Sequence, residues 1–326
     1  HPGCLPRLDL VLGYFRKQGF QVIEGRCLRN QHKQTSASKT DRAAELLRFW
    51  LDPNISAIFP PWGGELLCEI LPLVDINKLS KAGPKWISGF SDLSTLFFSL
   101  TTRTGLATLH SSNLMDLAPS QTDPLTNGQL SRMQAAGAGA TWVQHSSQLH
   151  QTKWRDIEKE VDAPYDLTAP TIWKALQPRF QSGAEFRGRL IGGCLDTIAR
   201  LAGTPFADMV QFREASGKSG VIFYFENCEM APCELARTLN QIRFAGWLDG
   251  VSGILIGRSS GPEAKKPDHL TYLEALASVL GDLKVPVIYD ADLGHRPPQL
   301  SILNGALGEL RFRPAGEQST LTQHLR

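Results

Sequence analysis

Residues 85–100 read KWISGFSDLSTLFFSL, and this stretch decides the fold. It predicts a strand over 84–90 that passes through Gly89-Phe90-Ser91 directly into a helix from 92 to about 102. The same alternation extends outward. On the N-terminal side, Leu5, Leu8, Val11, Leu12 and Phe15 share one face of a helix that Gly19 closes. A short strand at 21–23, a helix at 41–51, a strand at 55–59 and a helix at 64–71 follow. On the C-terminal side the pattern weakens between 114 and 187, a stretch rich in Gln, Ser, Thr, Ala and Gly that reads as loop-rich. It resumes with strands at 188–191, 221–225, 253–256 and 285–289, and helices at 195–201, 232–247 and 270–283. Strands alternating with helices of this length imply βαβ units and mainly parallel sheets. The expected organisation is an α/β domain over 1–165, a connecting segment over 166–186 and a second α/β domain over 187–326, without internal repeats.

Length and composition agree with two domains. The chain has 326 residues, 42% of them hydrophobic, enough for sizeable cores. Lys plus Arg total 34 against 32 Asp plus Glu, a net charge of +2 that gives no electrostatic reason to expect nucleic acid or an anionic membrane as partner. No apolar run approaches the roughly 18 residues of a membrane span. The opening HPGCLPRLDLVLGYF has no basic leader, and Asp9 interrupts its apolar part, so a cytoplasmic location is expected. Because the chain opens on a helix, a preceding strand is expected to have been trimmed. The six cysteines form no CxxC pair and read as small buried hydrophobes in a reducing compartment.

The strand–turn–helix at Ser91 resembles a nucleophile elbow, in which a tight turn holds a hydroxyl at the positive end of a helix. The backbone N–H of Asp92 would then face an oxyanion; the plainer alternative is that Ser91 or Asp92 caps the helix. A serine needs a base. His295, in GHRPP after VPVIYDADLG, has the most suggestive setting, with His110 as competitor. The base needs a carboxylate. Glu226 ends the apolar strand VIFYF and is costly there unless paired; Glu229 and Asp92 are the alternatives. Gly63 and Gly64, after SAIFPP, allow close backbone approach to a ligand, and Gly192-Gly193 repeats the arrangement. GxGxxG and GxxxxGKS/T fingerprints are absent, so no dinucleotide or nucleoside triphosphate cofactor is expected. His145 and His150 lack a metal-site context, so no metal is expected either. Trp154 and Trp173 would stack on a planar ligand group or pin the long polar segment to the body.

In order along the chain, WGGE, GFSDLST, RLIGGCLDTIARLAGTPF, FENCE, AGWLDGVSGILIGR and the late GH resemble the LD-carboxypeptidase family of serine peptidases, including its microcin C self-immunity branch. The resemblance covers nearly the whole chain. It implies a parallel-sheet N-terminal α/β domain carrying the nucleophile, and a smaller C-terminal α/β domain of the swivelling type supplying acid and base. It further implies a homodimer with the site between domains. Carried over residue by residue, Ser91 matches the nucleophile, Glu226 the acid and His295 the base. Beside that triad, Asp92, Gly63 and Gly64 are expected to form the oxyanion hole, and Trp62, Glu65, Trp154 and Trp173 are the candidate substrate-binding residues.

The family substrate is a murein tetrapeptide, from which terminal D-alanine is released in the cytoplasm. PPWGGE and the Trp-bearing 114–187 segment look more like the immunity branch, whose substrate is an aminoacyl-nucleotide amide. An exopeptidase also needs a cation for a free carboxylate, and Arg258 and Arg296 lie near strand ends. A two-domain ligand-binding protein without catalysis is the reading from another class.

Overall fold

The computed structural model describes residues 2–83, 85–314 and 317–325; Pro84, the expected start of the strand before Ser91, lies outside them. Along the chain, the strands are β1 Ala57–Ile58, β2 Trp86–Gly89, β3 Thr108–His110, β4 Thr141–His145, β5 Leu149–His150, β6 Ala169–Pro170 and β7 Lys174–Ala175. They continue as β8 Ala184–Cys194, β9 Val221–Glu226, β10 Val251–Gly257, β11 Val287–Ala291, β12 Ile302–Asn304, β13 Leu307–Phe312 and β14 Thr320–His324. The helices are α1 Leu5–Lys17, α2 Lys39–Leu51, α3 Ile76–Lys81, α4 Leu93–Thr104, α5 Pro124–Gln134, α6 Leu195–Ile198, α7 Met209–Ser216, α8 Pro232–Phe244 and α9 Tyr272–Leu280.

The architecture is mixed α/β with parallel strands at the centre of each main sheet. A four-stranded sheet has the order β1-β2-β3-β12, with β1, β2 and β3 parallel and β12 antiparallel. An eight-stranded sheet has the order β4-β14-β13-β8-β9-β10-β11-β7, with β8 to β11 parallel and the flanking strands antiparallel. Two strands pair across the halves expected from sequence: β4 closes the edge of the large sheet, and β12 joins the small one.

Sequence explains the layers. VIFYFE of β9 is buried at every position, as a central strand covered on both faces must be. The eleven residues of β8 change character midway. Up to Gly188 they pair with β13 and alternate in exposure, Arg189 pairs with both β13 and β9, and from Leu190 onward they pair with β9 and are wholly buried. Helix α4 is buried from Leu93 to Thr102, with Phe97, Phe98 and Leu100 in the main core beside Ile191, Phe223 and Ile254. Such a helix carries apolar residues all round and packs between layers. Two of its hydroxyls are satisfied by nearby backbone, Thr101 donating to Leu106 O and Thr102 to Phe98 O, while Ser99 Oγ is buried without a partner.

Several expectations need correction. Residues 21–23 form no strand: Val22 packs on the α1 cluster while Ile23 is exposed, and the segment has no strand partner among the described residues. The helix expected at 64–71 is a 3-10 helix, Leu67–Leu73, because Pro72 removes an N–H that an α-helix would use. The stretch 114–187 is loop-rich as expected, but it is not without elements. It holds α5, whose Asp123 side chain accepts from Thr126 N ahead of Pro124, and four short strands. All six cysteines are free, but only Cys194 is buried; Cys68 and Cys233 are exposed. Among the described residues no helix is long and apolar enough to cross a membrane.

Candidate active site

Three side chains from separate places in the chain meet just beyond the carboxyl ends of parallel strands, where α/β sheets leave an open crevice. Ser91 follows β2, Glu226 ends β9, and His295 lies in the loop after β11. His295 Nε2 is 3.1 Å from Ser91 Oγ, and its Nδ1 is 3.1 Å from both carboxylate oxygens of Glu226. The Phe90 ring meets the imidazole edge-on at 4.9 Å between centroids.

Each member is held by its surroundings. Ser91 has φ +67°, a left-handed conformation rare outside glycine, which lifts the hydroxyl off the strand–helix path. Phe90 N donates to Asn113 Oδ1 at 3.1 Å, fixing the turn from below. Glu226 is fully buried, and its carboxylate lies against the backbone of Gly294 (φ +82°), where a Cβ would collide with its carboxyl group. The loop after Glu226 is anchored by Asp196, whose carboxylate accepts from Cys228 N and Glu229 N at 2.8 Å each. Asn113 carries no motif; Asp196 falls within the RLIGGCLDTIARLAGTPF stretch and is the acid in the first turn of α6.

The electrostatics match a carboxylate–imidazole pair. Burial pushes the Glu226 carboxyl upward, but the charge and hydrogen bonds of His295, with help from Cys194 and His110, hold it below the ordinary value. Burial likewise opposes the imidazolium of His295. The Glu226 carboxylate and the neighbouring Cys228 outweigh that and raise it well above 6.5.

The competing assignments separate clearly. His110 is buried behind Phe90 and Tyr224, with neither ring nitrogen hydrogen-bonded, and burial lowers it to about 4. The Asp92 carboxylate is taken by Leu67 N at 2.8 Å and Thr95 Oγ1 at 3.2 Å, so it braces the WGGE loop against α4. Glu229 is exposed and has no bond to the imidazole. Gly192-Gly193 ends β8, where Cys194 N donates to Ser94 Oγ of α4 at 3.0 Å; this pair joins strand to helix and lines no open crevice. Among the described residues one group of metal-ligating side chains lies together, Cys194 with Glu226 and His295, and both imidazole nitrogens there are already engaged.

Gly63 lies directly against the serine: a Cβ on it would stand 2.6 Å from Ser91 Cβ and 3.0 Å from Asp92 N. The N–H groups of Gly63, Gly64 and Asp92 donate to no protein acceptor among the described residues. They are available to an oxygen near Ser91. Trp62 and Trp154 line a narrow cleft together with Arg7, Asp116, Gln121 and Gln151. Asp116 there is buried, and burial pushes its carboxyl up to about 6. Glu65 is exposed at the end of the glycine pair; partial burial, then the nearby charges of Glu229 and Asp92, raise it. Trp173 stands apart from this group. It is 4% exposed, donates from Nε1 to Asp292 at 2.9 Å, and so pins the polar segment to the body. Arg258 is likewise committed, to Asp292 and to backbone carbonyls.

A hydroxyl, an imidazole and a buried carboxylate bonded in series, with free amides beside the hydroxyl, are the equipment of a hydrolytic enzyme. The chain belongs to the LD-carboxypeptidase family: the model of its N-terminal domain matches residues 3–111 and that of its C-terminal domain residues 187–310. Membership places it among carboxypeptidase-type hydrolases. A Streptomyces coelicolor protein whose name, carboxypeptidase, is provisional is 30% identical over 84% of this chain and 75% of its own. The probable murein peptide carboxypeptidase of Bacillus subtilis is 23% identical over 92% of this chain and 82% of its own. Among solved structures, the microcin C7 self-immunity protein MccF in complex with aspartyl sulfamoyl adenosine has the same fold. It superposes with a TM-score of 0.81 at 20% identity, covering 99% of this chain and 92% of that one.

Proposed function

We propose that the protein is a serine carboxypeptidase that hydrolyses an L,D-amide bond, releasing terminal D-alanine from a murein tetrapeptide. The observation that carries this reading is the in-line bonding of Ser91, His295 and Glu226, in a chain of the LD-carboxypeptidase family. In the first step His295 Nε2 takes the Ser91 proton as Oγ attacks the amide carbonyl, and Glu226 holds Nδ1–H and stabilises the imidazolium. The oxyanion is met by the N–H of Asp92 and those of Gly63 or Gly64. His295 then protonates the leaving amine, the C–N bond breaks, and an acyl ester on Ser91 remains. Water, deprotonated by the same imidazole, hydrolyses that ester and returns the proton to Ser91. The chemistry calls for no metal or organic cofactor.

With Arg258 committed elsewhere, Arg296 is the cation for the substrate's terminal carboxylate. It follows His295 directly, and its side chain has no partner among the described residues. The same reading carries a homodimer in the cytoplasm.

One observation favours a second reading. The cleft beside the glycine loop has a tryptophan on each of two segments, Trp62 and the exposed Trp154. Tryptophan faces stack on planar bases, and the aspartyl sulfamoyl adenosine held by MccF carries one. Incubation with L-Ala-γ-D-Glu-meso-diaminopimelyl-D-Ala and, separately, with aspartyl sulfamoyl adenosine, each followed by mass spectrometry, decides between them. Loss of one alanine from the peptide supports the carboxypeptidase. Release of aspartate from the nucleoside alone moves the assignment to the aminoacyl-nucleotide amide. Neither cleavage leaves a binding protein.

A further inference from the structure

We propose that Arg258 and Asp292 form a clamp that positions His295, and that Asp292 ties the imidazole to the polar segment bearing Trp154. The inference rests on the Ser91–His295–Glu226 reading above. A proton-transferring imidazole must be held within about 0.5 Å of its working place, yet His295 sits in an irregular loop after β11. Arg258, the residue after β10, supplies what that loop lacks. Its Nε and Nη2 donate to Arg296 O at 3.0 and 2.8 Å, Nη2 also to Pro298 O at 2.7 Å, and Nη1 to Asp292 Oδ1 at 2.8 Å. One planar guanidinium therefore grips the loop on both sides of His295, a geometry lysine cannot reproduce.

Asp292 carries the connection further. It is fully buried, and besides Arg258 it accepts from Ser147 Oγ at 2.5 Å, Ser147 N at 3.0 Å and Trp173 Nε1 at 2.9 Å. Ser147 and Trp173 bracket the stretch that contains Trp154, and Gln151 N donates to Pro297 O at 2.8 Å within the same stretch. A buried ion pair adds little net stability over an apolar replacement. What this one adds is geometry: it fixes the histidine loop and the cleft-lining segment in one arrangement. Neither residue touches the reacting atoms, so both are positioning residues.

The test compares Arg258→Lys, Asp292→Asn and Trp173→Phe with the wild type and Ser91→Ala. The readouts are kcat and KM on the murein tetrapeptide, the rate at which a fluorophosphonate labels Ser91, and the downfield Nδ1–H proton resonance of His295. For Arg258→Lys the expected result is a loss of about 100-fold in kcat and in labelling rate, with KM within about twofold and the resonance shifted or broadened. Trp173→Phe, which removes one arm and leaves Arg258 in place, loses several-fold in labelling; it decides the matter if the Arg258 or Asp292 variants fail to fold. Folded variants with wild-type kcat, labelling rate and resonance overturn the clamp. Full activity of Ser91→Ala would instead overturn the reading on which it rests, and the labelling rate needs no knowledge of the substrate.

Discussion

Ser91 and His295 stand 204 positions apart in the chain and meet at 3.1 Å. The contact exists because β2 and β11, in different sheets, both end at the same crevice, with α4 packed between the layers. The serine reaches it only with a positive φ of +67°, a conformation costing of the order of 1 kcal/mol or more for a residue with a side chain. Strain held in place by a buried turn, beside a paired imidazole, is what the proposed nucleophilic role of Ser91 calls for.

The paired imidazole sets the pH dependence. Glu226 raises His295 well above 6.5 against the opposing effect of burial, and only the neutral imidazole accepts the serine proton. On the murein tetrapeptide, kcat/KM is therefore expected to climb with pH as the imidazolium is lost, with a midpoint above 6.5. Glu226→Gln removes the charge that raises His295, so its midpoint moves to lower pH while the plateau falls by about 10²–10⁴-fold. A wild-type midpoint at or below 6.5, or an unmoved one in the variant, would contradict the pairing.

Gly63 is the tightest constraint on the serine. A methyl group there would overlap Ser91 Cβ, which a rigid elbow cannot yield without moving the hydroxyl. Gly63→Ala is expected to lose about 100-fold in kcat and at most about 1–3 kcal/mol of stability. Kinetics alongside denaturant unfolding would check this; a fully active variant would show that the loop is free to withdraw.

His110 gives a stability prediction with a definite sign. The folded protein keeps it neutral down to about 4, whereas the unfolded chain takes up the proton near 6.5. Its contribution is thus intact above 6.5 and is lost as the pH falls toward 4, by about 3 kcal/mol. Asp116 opposes this, because its folded carboxyl ionises only near 6 against 3.8 unfolded and so costs stability as the pH rises through that window. The informative quantity is the difference between His110→Leu and wild type. It should move by about 3 kcal/mol in the variant's favour from pH 7 to 4, and a difference flat with pH would refute the assignment.

Trp154 should separate binding from chemistry. It is 47% exposed, and none of the three central residues is among those lining its cleft. Trp154→Ala is expected to raise KM about tenfold for whichever substrate is cleaved, with kcat within a factor of three. A kcat loss at unchanged KM would place it outside the binding surface.

Much of this was legible in sequence where local pattern and function coincide. The strand–turn–helix around Ser91, the acid at the end of VIFYF and the histidine after VPVIYDADLG lie in elements that short-range periodicity reveals. Long-range pairing is what it does not reveal. Residues 302–304 and 141–145 are short and ordinary, and only their partners, β3 and β14, make them strands. Val22 and Ile23 have strand-forming side chains but no neighbour to bond. Trp173 and Arg258 look like binding residues because they are aromatic or charged near strand ends; Asp292, which occupies both, carries no motif.

The account stands most directly on one measurement: labelling of the native protein with a fluorophosphonate, followed by peptide mapping. It predicts a single adduct on Ser91, and none on the folded His295→Ala variant over the same interval, because the hydroxyl is then no longer activated. An adduct elsewhere, or equal labelling of Ser91 with and without His295, would contradict it.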